Sequence, residues 1–170
     1  MKSTGIIRKI DELGRIVIPK EIRKTLNIKE SEDLEIFIEE DKIILKKYYR
    51  MNNFKDKTIK FIEIFKNYVS GTFILTDREN VLYGITDDDK KLSIKYLNTL
   101  NERKKILNNE NIQLEITNTL KKITKYIIFP LISDTDLLGS LLYISNEKIT
   151  DNDIIILNIL LTLIKYEMDW

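Results

Sequence analysis

Residues 4–26 read TGIIRKIDELGRIVIPKEIRKTL, and this stretch decides the N-terminal part of the chain. Residues 6–10 form a short apolar-basic run, expected as a strand. Asp11, Glu12, Leu13 and Gly14 follow as a turn, because Asp accepts backbone hydrogen bonds locally and Gly tolerates positive φ. Residues 15–18 make a second short strand, with Ile16 and Ile18 on one face and Arg15 and Val17 on the other. Pro19 suits the first position of a helix, where its missing N–H is no loss. Residues 20–26 then give about two turns. Ile22 and Leu26 are four apart and face a core, while Lys20, Arg23 and Lys24 make a basic stripe at i, i+3, i+4.

Moving outward, Leu34, Ile36 and Ile38 alternate with Glu35, Phe37 and Glu39, the pattern of a half-buried strand. Glu40 and Asp41 turn the chain into residues 42–47, where Ile43 and Leu45 share a face. The unit is thus strand, strand, short helix, hairpin. About fifty residues bury too little surface to stand alone without disulfides or metal. The chain has no Cys and no His, so a dimer interface is expected to supply the missing core.

The charges point to a partner. Of 28 Lys and Arg only six are Arg: Arg8, Arg15, Arg23, Arg50, Arg78 and Arg103. Half of them fall in the first 23 residues, against a strong preference for Lys. The guanidinium is a planar fork that grips phosphates or guanine edges bidentately, which an ammonium does not. Residues 1–24 carry seven bases against three acids, and residues 29–41 one base against seven acids. The net charge of +1 therefore conceals a basic face suited to DNA, which a symmetric dimer would double across its two-fold. The acidic stretch reads either as a device that repels DNA or as a solvated strand and turn.

On these residues, MKSTGIIRKIDELGRIVIPKEIRKTL and LEIFIEEDKIILKKY with their spacing, residues 1–48 resemble the DNA-binding domain of the AbrB-family transition-state regulators. The resemblance implies a swapped-hairpin dimeric β-barrel. It implies that Arg8, Arg15, Arg23 and Lys24 stand at DNA-contacting positions, with Lys9 as a helper. The fourth position is often Arg in the family; Lys24 keeps the charge without the fork. Lys20 is equally a contact or a bystander.

Residues 49–53 (YRMNN) are the expected linker to a second domain, 54–170. Residues 54–69 carry Phe54, Thr58, Phe61, Ile62, Phe65 and Val69 at helical spacing, a core-facing stripe. Ser70 and Gly71 end the helix. Residues 72–76 and 81–85 form a hairpin. Asp87, Asp88 and Asp89 have neither the glycine nor the twelfth-position Glu of a calcium loop and read as a turn or helix entrance. Residues 92–107 are expected as helix, 108–111 as loop, and 112–116, 125–131 and 138–145 as strands, with a turn at 134–136. Thr150 and Asp153 look like a capping box opening a last helix, 151–168.

This order makes an α+β protein, and 54–170 resembles a GAF-like sensory domain, an antiparallel sheet with flanking helices. The whole resembles the SpoVT-like members of the family, on fragments such as FILTDREN and FPLISDTDLLGSLLYIS. The last helix is apolar nearly all round, so a second face must also leave water. Packing with residues 54–69 of another chain would give a homotetramer, as the resemblance also implies. A small effector at the GAF-like domain and a core filled by side chains are both open.

Without Cys or His, thiolate and imidazole chemistry and their metal sites are absent, and no constellation of carboxylate, Lys or hydroxyl groups suggests an enzyme. No cofactor or metal is expected. No apolar run is long enough for a membrane span and no signal peptide opens the chain, so a cytoplasmic, nucleoid-associated protein is expected. The function expected is DNA-binding regulation of stationary-phase or sporulation genes. The alternative is an antitoxin-like DNA-binding protein that neutralises a toxin.

Overall fold

The computed structural model describes residues 4–30, 32–85 and 88–168. The chain divides into two compact units, Met1–Tyr48 and Tyr49–Trp170.

The first unit holds α1 (Lys20–Thr25) and an antiparallel hairpin of β1 (Leu34–Glu39) and β2 (Lys42–Lys47). Pro19 caps α1 rather than occupying its first turn. The helix ends in a Schellman motif. Asn27 adopts φ 52°, the Ile28 N–H donates to the Arg23 carbonyl at 2.7 Å, and the Asn27 N–H to that of Lys24 at 3.1 Å. Glu40, also left-handed, turns the hairpin. The strands expected at 6–10 and 15–18 are not formed within one chain. A strand is defined by its ladder, and the chain offers these segments no partner among the described residues. The turn between them is formed.

None of the described residues of this unit is buried. In the hairpin register Ile36 lies opposite Leu45 and Ile38 opposite Ile43, so the four share one face. That face is open: Ile36 is 67 %, Ile38 83 % and Ile43 66 % exposed. The half-buried strand expected from the alternation is therefore a solvent-facing one within a single chain.

The second unit is built on a five-stranded antiparallel sheet. Its strands are β3 (Thr72–Thr76), β4 (Val81–Tyr83), β5 (Ile106–Glu115), β6 (Lys121–Ser133) and β7 (Asp136–Ser145), in the order β4-β3-β7-β6-β5. The helices α2 (Met51–Phe65) and α4 (Asp151–Met168) cover one face and α3 (Ile94–Asn101) the other. Strand alternation builds the two cores. Phe73, Leu75, Ile127, Phe129, Leu131, Leu141 and Tyr143 meet α2 and α4. Ile74, Ile128, Leu142 and Ile144 meet Tyr96 and Leu100 of α3. Pro130 is tolerated in β6 because β5 pairs only as far as Ile128, so β6 has one neighbour there.

Several boundaries differ from expectation. Helix α2 starts at Met51, inside the expected linker 49–53, because Met51 is buried in the core. It ends at Phe65 and turns lead to Gly71, where a Cβ would lie 2.3 Å from the Ile144 carbonyl oxygen. The helix expected over 92–107 stops at Asn101, and the expected loop 108–111 lies inside β5, spanned by a bulge between Asn108 and Ile112. Pairing with β6 overrides the polar composition there. Asp87 lies outside the described residues. Asp89 accepts from the Lys91 N–H at 3.1 Å, and the helix begins later, capped by Ser93. The capping box of α4 is present: Thr150 N–H donates to Asp153 Oδ2 at 2.8 Å, and Asp153 N–H to Thr150 Oγ1 at 3.2 Å. Among the described residues no helix is long and apolar enough to cross a membrane.

Candidate nucleic-acid interface

The turn at 11–15 is closed by one carboxylate. Asp11 Oδ1 accepts the N–H groups of Leu13 at 3.0 Å and Arg15 at 2.8 Å. The Asp11 N–H donates back to the Arg15 carbonyl at 3.0 Å, and Gly14 takes φ 76°. Asp11 Oδ2 in turn holds Arg15 Nε at 2.8 Å. The Arg15 backbone N–H first, and then its guanidinium, hold the Asp11 carboxyl below its ordinary range. The ion pair occupies Nε and leaves the two terminal nitrogens of Arg15 without a partner among the described residues, on a side chain 70 % exposed. Such an arginine is oriented by its base and open at its tip, which is what bidentate capture of a phosphate or guanine requires.

Arg8 is exposed and donates to its neighbour's carbonyl, that of Ile7, at 3.0 Å. Arg23 is half-buried on α1, and its Nε is shielded from solvent with no hydrogen-bond partner. Lys9, Lys20 and Lys24 are exposed. Arg23 and Lys24 lie in the last turn of α1, where positive charge complements the helix dipole. Among the described residues no contact joins Arg8, Arg15 and Arg23 to one another. Asp11 is the residue that the sequence reading assigned only to a turn. The signal for its second role was an acid four residues before an arginine across a glycine turn.

Part of the acidic stretch faces lysines within the hairpin. Glu35 lies opposite Lys46 and Glu39 opposite Lys42, and Lys46 Nζ sits 4.7 Å from the Phe37 ring centroid. This favours a solvated strand over a DNA-repelling face. The loop before β1 is tied down by Lys47, whose Nζ donates to the Asn27 carbonyl at 2.8 Å and lies 3.7 Å from Glu32 Oε1.

In the second unit two open clefts flank residues 70–72. One of about 350 Å³ is lined by Ser70, Thr72, Lys122, Thr124, Ser145 and Asn146. The other, of about 490 Å³, is lined by Lys66, Asn67, Tyr83 and Gly84 among others. Beside the second, Tyr83 hydrogen-bonds Glu63, which is also paired with Lys66. That bond to a carboxylate pushes the Tyr83 hydroxyl up to about 12. Under α3 the sheet face is packed: the buried Tyr96 hydroxyl is 2.9 Å from Ser140 Oγ, itself 2.8 Å from Thr76 Oγ1. Among the described residues no group of three or more Asp and Glu could hold a metal ion.

Comparison with known proteins places this arrangement. Residues 7–51 match the family model described as antidote-toxin recognition MazE, bacterial antitoxin. Stage V sporulation protein T of Bacillus subtilis is 31% identical over 159 residues, covering 87% of this chain and 87% of its own length. The transition state regulatory protein AbrB of Bacillus subtilis is 67% identical over 48 residues, 28% of this chain and 50% of its own. The solution structure of the N-terminal DNA recognition domain of that protein covers 28% of this chain and 91% of its own, at 67% identity and a TM-score of 0.26. A GAF domain/HD domain protein from Geobacter sulfurreducens covers 71% of this chain and 98% of its own at 14% identity, with a TM-score of 0.45. With nearly the whole length of both chains aligned to stage V sporulation protein T, the chain belongs to the AbrB family of transition-state regulators, in its SpoVT-like form.

Proposed function

We propose that this protein is a dimeric DNA-binding transcription regulator of stationary-phase or sporulation genes, working in the cytoplasm on the nucleoid. One observation carries the reading. A 48-residue unit without a single buried described residue is 67% identical to AbrB, whose N-terminal domain is a DNA recognition domain. A unit so built gains its core only by association. The unpaired segments 6–10 and 15–18 and the open face of Ile36, Ile38, Ile43 and Leu45 are the surfaces that interleaving hairpins of two chains would pair and cover. The swapped-hairpin dimer doubles Arg8, Arg15, Arg23 and Lys24, with Lys9 beside them, along a duplex. Binding would rest mostly on phosphate charge, with sequence read partly through DNA shape.

The second unit, residues 49–170, serves as a GAF-like sensory and assembly domain. The outer face of α4, with Ile155, Ile159, Leu163 and Tyr166 exposed, together with Ile64 in the last turn of α2 and Tyr68 in the turn after it, supports helix packing between dimers into a tetramer. The two clefts beside residues 70–72 offer room for a small polar effector. We assign the protein no catalytic activity.

The test is DNA binding across a salt series. If a dimer neutralises about six to eight phosphates, log K falls with log salt at a slope of about −5 to −7. Arg15→Ala and Arg23→Ala should each abolish binding and leave the dimer intact. A flat salt response, or full affinity in both variants, refutes the reading.

The match of residues 7–51 to an antitoxin family favours a second reading, a toxin-neutralising regulator. Antitoxins of that kind wrap their toxin with a flexible tail, whereas residues 49–170 form a sheet with two cores of their own. Limited proteolysis separates the two: rapid loss of 54–170 would support the antitoxin.

A further inference from the structure

Three of the six arginines lie outside the N-terminal unit, and two of them meet at a single turn. Residues 133–136 join β6 to β7. Arg103 Nη1 donates to the Thr135 carbonyl at 2.6 Å. Arg50 Nη2 donates to Ser133 Oγ at 3.2 Å, and its Nη1 lies 3.7 Å from Asp134 Oδ2. Ser133 is buried, so the Arg50 contact reaches into the sheet end rather than lying on the surface.

The two arginines come from distant elements. Arg50 precedes α2 directly and is the second residue of the C-terminal unit, where the chain arrives from residues 1–48. Helix α2 opens without a side-chain cap and without an acid in its first turn, so the usual devices that fix a helix start are absent. Arg103 follows α3, after its C-cap Glu102. It adopts φ 55° and donates its N–H to the Leu100 carbonyl at 3.0 Å. That left-handed position after a helix suits glycine, which adopts it without steric cost. An arginine there works against the backbone and is useful only through its side chain, whose bond is to Thr135. Asp134 in the clasped turn is left-handed too, at φ 53°.

We propose that Arg103 and Arg50 form a clamp on the β6–β7 turn that couples α3 to the first turn of α2. Helix α3 lies on one face of the sheet, pinned in its first turn by Tyr96 against Ser140. Helix α2 lies on the other face. The turn at the sheet's end receives hydrogen bonds from both sides. A displacement of α3 is thereby passed to the residues that receive the chain from the DNA-contacting unit. Both arginines act as positioning residues.

The experiment is amide hydrogen exchange on the full-length protein, with residues 157–164 of α4 as internal reference. Arg103→Gly removes the clamp and relieves the backbone. Exchange at residues 52–55 should rise about fivefold, a typical coupling between sites, while α4 and the melting temperature hold steady or improve. Arg103→Lys can still donate to the Thr135 carbonyl and should keep exchange within about twofold of the unsubstituted protein. Reciprocally, Arg50→Ala should raise exchange at residues 99–101 by a similar factor, since coupling is mutual. Unchanged exchange at 52–55 in Arg103→Gly overturns the clamp. So does an equal rise in α4, which would be general loosening, or a loss in Arg103→Lys as large as in Arg103→Gly. The readout uses no nucleic acid, so its failure is distinct from failure of the DNA reading.

Discussion

Two side chains show how much turns on single groups. Asp11 builds the 11–15 turn and aims Arg15, and its carboxyl is held below the ordinary 3.8 chiefly by the Arg15 N–H. A depressed carboxyl contributes order that is complete above the ordinary value and is lost as pH falls through the lowered one. The Arg15 Nε–H resonance should therefore shift on acidification with a midpoint below 3.8. A midpoint at or above 3.8 would show that the pair does not hold in solution. Thr58 is the opposite case. It is fully buried on α2, and its hydroxyl has no hydrogen-bond partner. An unsatisfied buried hydroxyl costs about 1–3 kcal/mol. Thr58→Val keeps the branched shape and removes the burden, so urea unfolding should show a gain of about 1 kcal/mol.

At the scale of elements, the start of α4 was legible where the bounds of α2 and α3 were not. Thr150 and Asp153 announce α4 by spacing alone, and the reciprocal bonds are formed. Thr150→Ala should destabilise the C-terminal unit by about 1 kcal/mol in thermal or urea unfolding, with no change in α4's interior packing. The left-handed Asn27 that ends α1 was not read as such a signal. The 92–107 segment misleads because its helical spacing continues past the point where β6 captures the chain. Pairing of Ile106 with Ile128 begins a strand only five residues after α3 ends. Helix α4 presents two apolar faces. Leu157, Leu160, Ile164 and Met168 are buried on its own sheet, while Ile155 and Ile159 are 57 % and 50 % exposed. A charge at Ile155 or Leu163 should leave the unit folded and lower the mass seen by light scattering. An unchanged mass would place the assembly surface elsewhere.

For the molecule as a whole, the two units differ in kind. Residues 49–170 bury two cores about one sheet and can hold their shape as one chain. The described residues among 1–48 expose twelve large apolar side chains and bury none. The expected outcome in solution is a tetramer of 20.2 kDa chains at micromolar concentration. The isolated first unit should be a dimer that unfolds on dilution, because a single copy buries none of its described residues. A folded monomeric fragment would contradict both the assembly and the DNA surface built on it.

Local chemistry determined a great deal of this protein from sequence alone. The Asp-Gly turn at 11–14, the Pro19 entrance to α1, the β1–β2 hairpin, the strands 72–76 and 138–145 and the capping box of α4 all follow from interactions spanning a few residues. So does the arginine bias that marks Arg8, Arg15 and Arg23. What only the tertiary structure decided depends on partners distant in the chain. These are the reach of β5 and β6, the early start of α2 on a buried Met51, the Ser140 bond to Tyr96, and the meeting of Arg50 with Arg103 across the 133–136 turn. A sequence displays what a residue can do with its neighbours, but a ladder, a core position or a clamp is defined by the residue on the other side, and folding alone brings that residue near.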